Sequence, residues 1–274
     1  MAPSPAATVS KPEIVEAELF LQPLASGRNK PALVTARGNN GPVDCVIKMA
    51  QGLETPFLAP LPYLCEWLAA ALAPFLGVWV PRPYEVLVTE AFARSIDDPR
   101  FKAIALGSIG STYGSEFVGM PFTQLPKGAA MEALCPAAEA LLVFDAYIHN
   151  PDRRIENANV LASANDLLAF DHGDAFSFLL AIGGLDPAID PLLTTLESHV
   201  FSRWLRGRPC SLLRFLTHLA TLTDEVLEAI VAATPNPWQD GYAAGKLAKI
   251  IDVLRRRRDA VNDWLPKVEA WLQA

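Results

Sequence analysis

One stretch constrains the fold of this chain more than any other: Leu141 to Phe176, LLVFDAYIHNPDRRIENANVLASANDLLAFDHGDAF. Two short β-prone runs flank a polar turn at Asn165-Asp166, the pattern of a hairpin. A hairpin folds the chain back on itself, so Asn157 before the first strand and Asp171 after the second finish side by side, with Asp152 on the loop leading in. One carboxylate and one amide oxygen converging in this way suit Mg²⁺, which keeps several waters and takes few protein ligands. A second carboxylate, at Asp152, then stands ready to accept a hydroxyl proton. A loop Asp, an Asn a few residues on, and an Asp after the next hairpin make a constellation used in phosphoryl transfer. The bland reading of the same residues is a polar surface hairpin with solvated acids.

Upstream, the pattern predicts a small sheet. Ile14 to Leu24, Ala32 to Ala36 and Val43 to Met49 read as successive antiparallel strands, the last two joined by a tight turn at Gly38-Asn39-Asn40-Gly41. Lys48 ends the third strand among Val46, Ile47 and Met49, and a lysine in such a setting is costly unless an anion meets it. Leu61, Leu64, Cys65, Leu68, Leu72 and Phe75 recur at helical spacing up to Gly77, and Glu66 is the acid on that helix. In phosphotransferases such a lysine holds nucleotide phosphates and such a glutamate orients it. Pro81 to Thr89 reads as a further strand, residues 91–102 as a charged connection, and Ile109 to Met120 as a β-prone run ended by Gly119.

These segments together resemble the HipA-like kinases. The order D-R-x-x-x-N, strand, turn, strand, D-x-G at 152–173 is similar to their catalytic and metal-binding segments, and more distantly to those of the phosphatidylinositol kinases. G-x-x-K-P at 27–31, a strand ending V-I-K at 46–48, E-W-L-A at 66–69 and L-G-x-x-V-P at 76–81 are similar to the N-terminal half of that kinase domain. The resemblance implies an α+β, two-lobed, protein-kinase-like fold with a small antiparallel sheet lobe and a mainly helical lobe. It implies ATP and Mg²⁺, with Asp152, Lys48 and Glu66 as catalytic residues and Asn157 and Asp171 on the metal. Gly27, Lys30 and Lys48 would face the nucleotide, and backbone groups of Glu116, Phe117 and Val118 would hold adenine at the junction of the lobes. No full G-x-G-x-x-G is present, and Arg154 stands where the phosphatidylinositol kinases have a histidine.

Met131 to His149 reads as a helix whose stripe carries Leu134, Ala138, Leu141, Asp145 and Ile148. Asp145 is expected to hydrogen-bond the loop backbone. Asn150 and Arg153 are expected to shape the loop, and Arg153 is also placed to neutralise phosphate. A rival assignment takes His149, His172, Asp152 and Asp171 as a zinc or iron site. Beyond Phe176, Leu192 to Leu205, Leu212 to Leu222, Asp224 to Ala233 and Tyr242 to Leu272 read as helices, with a cap at Thr223-Asp224.

At 274 residues the chain has room for one two-lobed unit: a flexible lead at 1–11, a sheet lobe at 12–118 and a helical lobe at 119–274. A net charge of −7 argues against nucleic acid as a direct partner, which needs a basic face. Cys45, Cys65, Cys135 and Cys210 form no C-x-x-C pair and fit reduced thiols in a cytoplasmic protein. The most apolar run, Trp67 to Val80, is interrupted by Pro74 and falls short of the roughly 20 residues of a membrane span. The reaction expected is transfer of the γ-phosphoryl group of ATP to a hydroxyl, foremost of a protein Ser or Thr. The alternative is a catalytically weak nucleotide-binding interaction module.

Overall fold

The computed structural model describes residues 8–24, 29–125, 132–180, 186–190, 192–209 and 212–274. Gly27, Cys210 and most of the expected lead lie outside the described residues.

β1 (Glu13–Pro23), β2 (Ala32–Gly38) and β3 (Gly41–Lys48) follow one another as antiparallel neighbours, and Gly38 pairs with Gly41 across the expected turn. β4 (Pro83–Val88) and β5 (Gly110–Glu116) complete a closed barrel in the order β1-β2-β3-β5-β4. Closure comes from β4 running parallel to β1, with Glu13 to Glu16 beside Tyr84 to Leu87. This corrects the expectation of a plain antiparallel sheet. Alternate residues such as Val15, Ala17, Val34, Ala36, Cys45, Ile47 and Val86 are buried in one shared interior, and closing it leaves no open edge.

Residues 91–102 are not a simple connection. They form most of α2 (Glu90–Ser95) and α3 (Pro99–Leu106), whose Phe92, Phe101 and Ile104 join the barrel core. The Thr89 hydroxyl accepts from the Phe92 N–H, and Asp98 accepts from the Arg100 and Phe101 N–H groups, with Pro99 opening the helix. These caps were legible, but each helix is too short to show an apolar period.

α1 (Leu61–Leu72) lies between the barrel and the larger core and is buried nearly all round, Tyr63, Glu66 and Trp67 included. The expected single stripe is therefore only part of its packing. It passes into a short 3-10 turn and ends at Gly77, which adopts φ +73 and donates its N–H back to Ala73 and Pro74.

A second sheet packs into the larger core through Val160, Ala162, Leu167 and Ala169: β6 (Thr123–Gln124) pairs with β7 (Val160–Ala162), and β7 with β8 (Leu167–Ala169). α4 (Cys135–Tyr147) carries the expected buried stripe into the loop before β7. The expected helix at 192–205 is instead two short ones, α5 (Leu193–Leu196) and α6 (Ser202–Leu205). α7 (Leu213–Leu219) and α8 (Asp224–Ala233) follow, the latter capped by the Thr223 hydroxyl. The long helix expected at 242–272 breaks at Ala260 into α9 (Lys246–Asp259) and α10 (Val261–Gln273). Among the described residues no helix is long and apolar enough to cross a membrane.

Candidate active site

Lys48 closes β3, directly across from Tyr113 in β5, and its carbonyl accepts from the Thr112 hydroxyl. Its ammonium donates to Glu66 Oε1 on α1 and to Asp171 Oδ1 just beyond β8, the latter at 2.5 Å. Burial alone would pull the lysine pKa down, but the carboxylates of Asp171 and Glu66 override it and hold the ammonium protonated above its ordinary range. Burial pushes Glu66 up, whereas for Asp171 the Lys48 charge outweighs burial and keeps the carboxylate below its ordinary value. The second Glu66 oxygen accepts the backbone N–H of His172 at 2.9 Å, so one carboxylate holds both the lysine and the loop carrying Asp171. Asp171 itself adopts φ +59, a left-handed turn that suits Asp and Asn better than most residues. A Cβ at Gly173 would lie 3.6 Å from Glu66 Oε1 and 3.9 Å from Lys48 Nζ, in ordinary contact with the ion pair, so this turn packs directly beside it.

The hairpin closes as expected, with the Phe170 N–H on the Asn159 carbonyl at 3.0 Å. Before it, Arg154 and Asn157 exchange backbone hydrogen bonds at 3.2 and 3.1 Å. Asp152 accepts from the Asn157 amide at 2.8 Å and from the Arg154 guanidinium at 2.9 Å, while Asn150 Oδ1 accepts its N–H at 3.2 Å. Asn157 is thus gathered with Asp152, and Asp171 with Lys48 and Glu66, at the same end of one hairpin. With its amide nitrogen given to Asp152, Asn157 offers a carbonyl oxygen, and Asp171 keeps a second carboxylate oxygen beside the one on Lys48. This donor set is all hard oxygen and fits Mg²⁺.

Arg153 does not reach outward to phosphate. It is buried, with Nε on Asp145 Oδ2 at 2.5 Å, Nη1 on the carbonyls of Asn159 and Phe170 at 2.7 and 3.3 Å, and Nη2 2.8 Å from His172 Nε2. Asp145 corrects its expectation too, because its side chain meets other side chains rather than the loop backbone: Asn150 at 2.8 Å, Arg153, and His199 at 3.0 Å. The Arg153 guanidinium and the His199 contact hold its carboxylate well below the usual range despite burial. His199 carries no sequence signal; it is a lone histidine between α5 and α6.

The rival zinc or iron site is not assembled. His149 turns away to the Pro187 carbonyl at 3.1 Å and stands edge-on to Phe178, while His172 faces Arg153 and Phe144. Burial pushes both imidazoles down to about 3. Among the described residues no group of three or more His, Cys, Asp or Glu is placed to hold a metal ion.

The expected adenine contacts are narrowed. The Glu116 N–H donates to the Arg82 carbonyl and the Phe117 N–H to the Asp44 carbonyl, each at 2.8 Å, so both donors are spent inside the barrel. Their carbonyls and Val118 remain on the segment leading to β6. Lys30 is tied to the turn that follows Lys48, its N–H donating to the Gly52 carbonyl at 2.9 Å.

A family model described as HipA-like kinase matches residues 58–258, a span that includes Glu66, Asp152, Asn157 and Asp171 and begins beyond Lys48. Among solved structures, the proinflammatory kinase CtkA of Helicobacter pylori is similar at a TM-score of 0.42 and 12% identity, over 90% of this chain and 98% of that one. The PknI kinase domain of Mycobacterium tuberculosis is similar at a TM-score of 0.34 and 15% identity, over 92% of this chain and 100% of that one. No curated protein matches the sequence.

Proposed function

The chain belongs to the HipA-like kinase family, and from that premise we propose that it transfers the γ-phosphoryl group of ATP, with Mg²⁺, to a hydroxyl, foremost that of a protein serine or threonine. The observation that carries this reading is the single protonated lysine shared by a helix carboxylate and the carboxylate after the hairpin, Lys48 between Glu66 and Asp171.

Each residue then has a task that follows from its surroundings. Lys48 binds phosphate oxygens as a cation that burial has not neutralised. Glu66 keeps that cation aimed and, through the His172 N–H, fixes the turn that presents Asp171. Asp152, steadied by Asn157 and Arg154, positions the acceptor hydroxyl and takes its proton. Asn157 and Asp171 would hold Mg²⁺, which neutralises charge developing on the phosphates. Arg153 and Asp145 take no part in the transfer; they stiffen the loop from beneath. The free thiols of Cys45, Cys65 and Cys135 support a cytoplasmic setting.

The test is ATP consumption by the purified chain with Mg²⁺, beside Asp152→Ala and Asp171→Ala. Turnover lost in both supports the reading, and turnover surviving both ends it. Thermal stabilisation by ATP without any turnover would replace it with a nucleotide-binding interaction module.

A further inference from the structure

Between α8 and α9 the chain runs as a strap, Thr234 to Ala243, along the N-terminal half of α1. It does so antiparallel to the helix. Thr234 Oγ1 accepts the Trp67 indole N–H at 3.0 Å, and the Trp238 ring lies 6.5 Å from that of Tyr63. A Cβ at Gly241 would be 3.6 Å from Pro60 Cδ and 3.7 Å from the Ala59 carbonyl, at the helix entry. Residues 59 or 60, 63 and 67 recur every turn, so the strap follows one ridge of α1. Its own shape is held by Gln239 Nε2 on the Thr234 carbonyl at 3.0 Å and the Trp238 N–H on the Pro235 carbonyl at 3.1 Å.

Trp238 does more than cover the helix. Its ring also packs 5.8 Å from Tyr113, the residue that faces Lys48 across the β3–β5 ladder. Tyr63 stands one helical turn before Glu66. One buried indole therefore touches the immediate neighbour of each member of the Lys48–Glu66 pair. Its N–H has no hydrogen-bond partner among the described residues, an unfavourable arrangement for a buried donor, so its value at this place lies in its shape.

We propose that the Thr234–Ala243 strap is a positioning element, with Trp238 as its anchor. It sets the distance between α1 and β5 and so brings Glu66 onto Lys48 from within the chain. The inference rests on the functional reading above and adds to it that the phosphate-holding pair is assembled by packing from the helical lobe.

The experiment measures the affinity of a non-hydrolysable ATP analogue with Mg²⁺ by calorimetry, alongside urea unfolding, for Trp238→Leu, Trp238→Phe and Thr234→Val. Trp238→Leu is expected to weaken binding about tenfold, Thr234→Val about threefold, and Trp238→Phe to restore near-normal affinity because a flat ring remains and the orphaned N–H is gone. In a Glu66→Gln background, Trp238→Leu is expected to add little further loss, since both changes act on one ion pair. A merely structural role would lower the urea midpoint and leave the folded protein's affinity unchanged. Should Trp238→Leu fail to fold, the shape-conserving Thr234→Val decides. Unchanged affinity in these variants, with the unaltered chain binding normally, overturns the strap's role alone. No binding by the unaltered chain overturns the functional reading and this inference with it.

Discussion

Arg153 and Asp145 form an ion pair that no solvent touches, the guanidinium Nε 2.5 Å from the carboxylate. The pair fastens the loop before the hairpin to α4, and the same guanidinium reaches the carbonyls of Asn159 and Phe170 and the ring of His172. Removing one partner strands a buried charge. Arg153→Met is expected to cost about 3–5 kcal/mol in urea unfolding. Arg153→Lys is expected not to rescue it, because an ammonium cannot span the carboxylate, both carbonyls and the imidazole at once.

His149 makes stability depend on pH. It faces Arg257, the Pro187 carbonyl and Phe178, and burial holds its pKa near 3 against an ordinary 6.5. Below 6.5 the unfolded chain binds a proton that the folded chain refuses. Its contribution is therefore complete above 6.5 and is lost as pH falls toward 3, at up to about 1.4 kcal/mol per pH unit. His172 adds the same dependence. Urea midpoints at pH 7 and pH 5 should differ less in His149→Asn than in the unaltered chain.

Asp152 and Lys48 should separate in their effects. Asp152 is buried and held by the Asn157 amide and the Arg154 guanidinium, and Asp152→Asn keeps the side chain's size, so analogue binding is expected to stay nearly unchanged. Turnover should fall about 10²- to 10⁴-fold. Comparable turnover in that variant would remove Asp152 from the mechanism.

Lys48→Met should do more damage. It leaves Glu66 buried without its cation and Asp171 without its partner, so stability is expected to drop by about 3 kcal/mol together with nucleotide affinity. Parallel denaturation and calorimetry would show whether the two losses travel together.

Gly114 is where the barrel has no room. A Cβ there would meet Val86 Cγ2 at 2.5 Å and Ile47 Cγ2 at 3.3 Å, both branched side chains inside a closed wall. Gly114→Ala is expected to cost about 1–3 kcal/mol through overpacking. A melting temperature unchanged by that substitution would contradict the closed interior.

Local chemistry made much of this molecule readable. The hairpin, the Gly38–Gly41 turn, the Thr223 cap and the buried stripe of α4 are each written in neighbouring residues, because turns, caps and periodicity are set within a few positions. So was the candidate site's order, Lys48, Glu66, Asp152, Asn157, Asp171, since each residue type has few chemical uses in its setting. The α2 and α3 caps were equally visible, but helices of 6 and 8 residues are too short for their apolar faces to register as a period.

What tertiary structure alone decided are the meetings of distant residues. Lys48 and Asp171 stand 123 positions apart, Trp67 and Thr234 167, and Asp145 and His199 54. Nothing local to either partner encodes such a contact. The parallel closure of β4 on β1, the spending of the Glu116 and Phe117 amides inside the barrel, and the choice of His199 and Arg153 as partners for Asp145 belong to the same class. They arise because buried edges, amides and charges must each find a partner once the chain is compact, and which partner lies within reach is settled only by how the two cores pack.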